Sequence, residues 1–148
     1  MRYLGMDLGT KTLGLAISDA TGTIATGLEI IRHNENYSEL VKKIGIIIED
    51  NDIKEMVLGF PKNMDNTVGE RGHIAIEFKK MLEDAYNLPV HMQDERLTTV
   101  QAENLLISND TSRKKRKKVI DSLAATIILQ SYLDRKGREL WKKIHLKW

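Results

Sequence analysis

Met1-Arg2-Tyr3-Leu4-Gly5-Met6-Asp7-Leu8-Gly9-Thr10-Lys11-Thr12-Leu13-Gly14-Leu15-Ala16-Ile17-Ser18-Asp19 opens the chain, and its reading decides the fold. Tyr3, Leu4 and Met6 favour an extended strand, and Gly9-Thr10-Lys11 is turn chemistry. Leu13, Leu15 and Ile17 then alternate with Gly14, Ala16 and Ser18 as a second strand requires. A β-hairpin follows from this pattern. Asp7 sits where its first strand reaches the turn, although Asp is depleted in strand interiors and seldom buried without a partner. Such a carboxylate can accept amide hydrogen bonds from the turn. It can also hold a divalent metal, and the other carboxylates of the chain bear on which use applies.

Working outward, residues 24–32 carry Ile24, Leu28, Ile30 and Ile31 and predict a third strand, completing a meander. From Ser38, Leu40, Val41, Ile44, Ile47 and Ile48 recur at helical spacing, with Asn36 or Ser38 as the cap. Residues 55–59 form a short buried strand. The change from meander to strand-helix-strand implies parallel pairing and a mixed sheet. A loop over residues 60–66 leads to a long helix carrying Ile74, Ile76, Phe78, Met81, Leu82 and Ala85, which stops near Pro89. Residues 90–95 predict a fifth strand ending in Asp94 and Glu95. A helix starts at Thr98 with Gln101 in capping-box spacing, residues 108–112 break it, and a last helix runs over about residues 119–133.

At 148 residues the chain fits one domain over residues 1–148, its final stretch 137–148 being a basic, amphipathic tail. The apolar fraction of 41% with 30% charged residues is that of a soluble globular protein. No apolar run is long enough to cross a bilayer, and nothing resembles a secretory signal, so a cytoplasmic protein without membrane partners is expected. The absence of cysteine excludes thiolate zinc sites and a Cys nucleophile. A net charge of +2 implies no anionic partner by itself; its distribution matters more.

Sites of open α/β sheets lie at the carboxyl ends of parallel strands, where Asp7, Asp94 and Glu95 all fall. Adjacent strand residues point to opposite faces, so at most one of Asp94 and Glu95 should enter a shared cleft while the strand remains regular. Glu95 is the expected one, leaving Asp94 to hold the turn or face a partner. Asp121 shares a helix face with Ala124, Ala125 and Ile128, an apolar face on which a carboxylate must be paired or coordinated. The alternative for Asp121 is a first-turn acid favoured by the helix dipole and paired with Lys117 or Lys118. Asp7, Glu95 and Asp121 together would suit Mg²⁺ or Mn²⁺, hard ions that take oxygen ligands and support phosphodiester hydrolysis. Arg113-Lys114-Lys115-Arg116-Lys117-Lys118 lies just upstream of Asp121 and would bring cations to a nucleic-acid backbone. Lys11, Lys62, Asn63, Arg71 and Arg96, near strand ends, would add phosphate contacts. His33, His73 and His91 show no mutual metal spacing and are read as surface or edge residues. Trp141 and Trp148 are expected to pack the tail onto the domain.

Four motifs now carry a resemblance. Met6-Asp7-Leu8-Gly9-Thr10-Lys11 with Gly14-Leu15-Ala16-Ile17-Ser18-Asp19 is followed by Gly59-Phe60-Pro61-Lys62-Asn63-Met64-Asp65. Asp94-Glu95-Arg96-Leu97-Thr98-Thr99 and Lys118-Val119-Ile120-Asp121-Ser122-Leu123-Ala124-Ala125 complete the set. In order and spacing they resemble the YqgF (RuvX) family over nearly the whole chain. The resemblance implies a ribonuclease H-like α/β fold akin to the RuvC resolvases, with a mixed five-stranded sheet in order 3-2-1-4-5. It implies a metal-dependent nuclease in 5′-end maturation of precursor 16S ribosomal RNA, with ribosomal precursor particles as possible partners; Holliday junction resolvase is an older label. By position the family's acidic triad falls on Asp7, Glu95 and Asp121. Asn66 departs from the glycine that many members carry there.

Three rivals are weaker. The Asp-Leu-Gly-Thr hairpin also opens actin-like and sugar-kinase ATPases, but those need two related domains and a longer chain. No Gly-x-Gly-x-x-Gly turn supports a dinucleotide-binding fold. A non-catalytic module binding structured RNA would have no need of the three acids together. The residues leave open RNA against branched DNA, and monomer against homodimer.

Overall fold

The computed structural model describes residues 1–62, 65, 67–95 and 113–145, the side chains of residues 113–122 excepted. Asn63, Asn66, Arg96, the helix expected from Thr98 and Trp148 lie outside the described residues. The elements are β1 (Arg2–Leu8), β2 (Thr12–Ser18), β3 (Ala25–Arg32), α1 (Tyr37–Asn51), β4 (Ile53–Phe60), α2 (Glu70–Tyr86), β5 (Val90–Asp94) and α3 (Arg113–His145). They form a five-stranded sheet in order β3-β2-β1-β4-β5. β1 pairs antiparallel with β2 and parallel with β4, and β5 runs parallel to β4. The mixed sheet is the one the sequence predicts.

Helices cover both faces, which is why β1 and β4 read as nearly continuous apolar runs. On one face Leu4, Met6, Leu13, Met56 and Leu58 pack with Leu40 and Ile44 of α1 and Phe78 and Leu82 of α2. On the other, Tyr3, Ala16 and Val57 meet Ala125, Ile128, Leu129 and Tyr132 of α3. The side chain of Asn36 caps α1 by accepting from the Glu39 N–H at 3.2 Å. Asn87, in the left-handed region at φ 53°, ends α2. Ile76, assigned by its spacing to the apolar side of that helix, is 46% exposed. The buried line of α2 runs instead through Gly72, Ala75, Phe78 and Leu82, and Ile76 lies one residue off it.

α3 sits unusually close to the sheet. A Cβ added at Gly5 would lie 2.6 Å from Leu129 Cβ and 3.2 Å from the Ala125 carbonyl oxygen. Glycine in β1 opposite alanine in α3 therefore sets the separation of the two layers. Gly5→Ala should destabilise the protein by about 1–3 kcal/mol, because the helix must move outward along its packed length. Urea unfolding of the variant checks this, and an unchanged midpoint would refute it.

Two expectations about this helix need correction. The helix expected over about residues 119–133 starts at Arg113, so the basic run forms its first turns, and the tail is no separate segment, since helix continues through Gly137 to His145. Lys and Arg are good helix formers, no proline intervenes, and one interior glycine costs only about 1 kcal/mol against alanine. Trp141 does not pack the tail onto the domain. It is 61% exposed and stacks on His145, with ring centroids 4.2 Å apart. Among the described residues no helix is long and apolar enough to cross a membrane.

Candidate active site

β4 separates β1 from β5, and its Gly59 provides the surface on which the candidate site is built. β5 ends at Asp94, which pairs with Phe60. The Glu95 N–H donates to the Phe60 carbonyl at 3.2 Å, so the chain keeps its register for one residue past the strand. That residue turns its carboxyl back over Gly59, where an added Cβ would lie 2.3 Å from Glu95 Oε2 and 2.7 Å from Ile128 Cδ1. A side chain here would displace the Glu95 carboxyl and the end of Ile128. Asp94 is exposed, as its opposite strand face demands.

Asp7, half-buried near the end of β1, meets Glu95 in a carboxyl–carboxyl hydrogen bond. Two carboxylates can bond in this way only by holding a proton between them. Burial first, then the negative charge of Asp7 and the hydrogen bond between the two, push the Glu95 pKa up to about 8. Asp94 raises it further, while the Arg71 guanidinium opposes the shift. Arg71 reaches this point from the first turn of α2, donating from Nη2 to the Leu8 carbonyl at 3.2 Å.

The other strand-end and loop acids behave differently. Asp19 accepts from Thr21 Oγ1 at 2.5 Å and from the amides of Thr23 and Ile24, which hold its pKa far below the usual carboxylate range. Asp65 accepts from the Thr67 N–H and hydroxyl and is likewise lowered. Both are turn-stabilising acids with their donors supplied by their own turns. The amide of Gly9, the donor a turn-capping Asp7 would take, goes to the Thr12 carbonyl at 2.8 Å. Asp7 turns to Glu95.

Asp121 lies on α3 one helical turn before Ala125, the residue above Gly5. α3 runs antiparallel to β1, since Lys136 reaches Tyr3 at the strand's start. The Asp121 backbone thus falls toward the carboxyl end of β1, the end that carries Asp7; its side chain is outside the described residues. Among the described residues no group of three metal-ligating side chains gathers.

The predicted phosphate contacts divide. Arg71 stands beside the acidic pair. Lys62 closes a small loop by bridging to Val68, its ammonium 6.0 Å from the Phe60 ring centroid. Lys11 is exposed at the hairpin tip. Residues 113–118 open α3, with side chains outside the described residues. Sequence reasoning missed His33, whose Nε2 contacts the Gly9 carbonyl at 2.8 Å while Nδ1 accepts from the Glu35 N–H at 3.0 Å. The tautomer those roles require carries its proton on Nε2, and the ring braces the turn after Asp7 from β3. No spacing signal could have announced it.

A model of the RuvX family, described as Holliday junction resolvase, matches residues 1–135. A Bacillus subtilis (strain 168) protein named "Putative pre-16S rRNA nuclease" is 55% identical over 135 residues, covering 90% of this chain and 98% of its own. One of the same name from Leuconostoc citreum is 52% identical over 139 residues, covering 93% and 97%. Among solved structures, T. thermophilus RuvC in complex with a Holliday junction superposes with a TM-score of 0.59 at 16% identity, covering 93% of this chain and 96% of that one. The Fowlpox virus resolvase in complex with Holliday junction DNA gives 0.58 at 15% identity, covering 91% and 98%. At those identities the likeness establishes the ribonuclease H-like fold. With that fold, a family match from the first residue through most of α3 and relatives aligned over nearly their full length, the chain belongs to the RuvX family of nucleases.

Proposed function

We propose that Asp7, Glu95 and Asp121 form the catalytic centre of a metal-dependent nuclease that matures the 5′ end of precursor 16S ribosomal RNA in the cytoplasm, on free RNA or in ribosomal precursor particles. The observation that carries this reading is the Asp7–Glu95 pair: two acids from different strand ends, forced together against their mutual repulsion. The donor set is oxygen only, which suits Mg²⁺ or Mn²⁺, and a divalent ion would take the place of the shared proton. When bound, such an ion supplies charge neutralisation at the phosphate and activation of water.

The chain's own residues then orient the substrate. Asp7 and Glu95 would hold the ion at the mouth of the β1/β4/β5 edge, with Asp121 completing the set from α3. Arg71 spends one N–H on Leu8 and has others for a phosphate oxygen. Lys11, Lys62, Asn63, Arg96 and the run from Arg113 to Lys118 would contact the backbone on either side. RNA is favoured as substrate by the names of the relatives, and branched DNA by the description of the family model.

The deciding experiment gives purified protein, with Mg²⁺ or Mn²⁺, a precursor 16S 5′ fragment and a four-way DNA junction. RNA cleavage that EDTA abolishes is expected. Cleavage of the junction alone would replace this reading with a resolvase. Gly59→Ala offers a second check, because its methyl takes the space of the Glu95 carboxyl. It should lower kcat by roughly a hundredfold, the scale expected when a charged group is displaced from its working position, while far-ultraviolet circular dichroism stays native. Full activity in that variant would remove Glu95 from the site.

A further inference from the structure

The family match ends at residue 135, yet α3 continues to His145. Every residue from Asp134 to His145 is exposed. This arm carries Arg135, Lys136, Arg138, Lys142 and Lys143 against Asp134 and Glu139. Arg135, Arg138 and Lys142 recur at intervals of three and four, so they share one face. Trp141 stands open beside them at 61% exposure. Lys136 ties the base of the arm down by donating to the Tyr3 hydroxyl at 2.5 Å.

We propose that α3 beyond residue 135 is a second docking site for RNA phosphates, gripping the substrate away from the point of cleavage; this rests on the reading of RNA as substrate. Lys142 lies about 30 Å along the helix from Asp121, at ~1.5 Å per residue, and at the opposite end of β1 from the acidic pair. The arm takes no part in chemistry and reaches only a substrate long enough to span that distance. Cations on one helical face with an exposed aromatic fit a nucleic-acid backbone with an unstacked base. A protein partner fits less well. Leu140, Trp141 and Ile144 are exposed at spacings of three and four and form an apolar strip, but interface cores deplete Lys, and the five cations of this arm flank that strip.

The test uses the full chain with Arg138→Gln, Lys142→Gln and Lys143→Gln combined, and separately with Leu140→Ala and Ile144→Ala combined. Fluorescence anisotropy in EDTA over a range of KCl reads binding to a long precursor 16S fragment and to a short one around the cleavage site. The charge variant should bind the long fragment about tenfold more weakly, and its salt slope should fall by about 2, as expected for loss of two to three phosphate contacts. The short fragment should bind, and be cleaved with Mg²⁺, as before. Unchanged affinity and slope on the long fragment would overturn the proposal. So would a concentration-dependent dimer in light scattering that the Leu140→Ala, Ile144→Ala variant abolishes, which would assign the face to a second copy. Loss of RNA cleavage in the unmodified protein with the arm-dependent slope intact would refute the proposed function and leave the docking site standing.

Discussion

Asp7→Asn is expected to lower kcat for RNA cleavage by about two to three orders of magnitude, the scale of several kcal/mol of lost transition-state charge stabilisation. The substitution is nearly isosteric. The introduced amide can keep a hydrogen bond to Glu95, and the flanking Met6 and Leu8 hold β1 in the core unchanged. What disappears is one of two negative charges available to a cation. The same change removes a cause of the raised Glu95 pKa, so that group should titrate lower than about 8, although burial still holds it above an ordinary Glu. Folding below the Glu95 pKa should be about as stable as before, because the amide keeps a hydrogen bond to the protonated Glu95. Single-turnover cleavage, RNA anisotropy and thermal melting separate these effects. Wild-type turnover with native affinity would reject Asp7 as part of the centre, whereas lost affinity with lost folding would indicate a structural acid.

The hairpin and the mixed sheet are readable because β1 and β2 announce themselves by alternation around a glycine turn and a strand-helix-strand unit follows the meander, whereas the full order 3-2-1-4-5 is implied only by the family resemblance. The apolar face of the last helix is equally plain: Ala124, Ala125 and Ile128 are all buried. Strand alternation separates Asp94 from Glu95 but does not say which of them faces the cleft; the register of β5 against β4 and the turn of Glu95 over Gly59 do. Other parts depend on tertiary detail that no local pattern carries. Gly59 looks like any strand glycine, a residue with several uses. That it underlies the Glu95 carboxyl follows only from the register β4 takes against β5. Arg71 can be placed near a strand end, but its bond to Leu8 needs the chain after β4 to fold back through the Lys62–Val68 bridge. The extent of α3 escapes the sequence because a charge run and an interior glycine suggest boundaries, while the uniform helix propensity of the segment outweighs both.

The proton on Glu95 gives the second large effect, and its sign is opposite in the metal-free and metal-bound protein. The folded chain holds this proton more tightly than an unfolded chain, whose Glu titrates near 4.5 against about 8 here. The contribution to stability is therefore complete below about 4.5 and is lost as pH rises to about 8. Allowing for partial exposure, its size is about 3 kcal/mol. Glu95→Gln carries no such titration, so without metal it should melt above the wild type at alkaline pH and show a flatter stability curve. With Mg²⁺ or Mn²⁺ the order should reverse, because only the ionised wild-type pair gains a cation. Below the Glu95 pKa each ion bound must release close to one proton, so affinity should fall about tenfold per pH unit. Calorimetric titrations in buffers of different ionisation enthalpy count that proton. Metal affinity independent of pH between about 6 and 8, or equal metal-induced stabilisation of wild type and Glu95→Gln, would mean that Asp7 and Glu95 share a proton for some purpose other than yielding it to a metal.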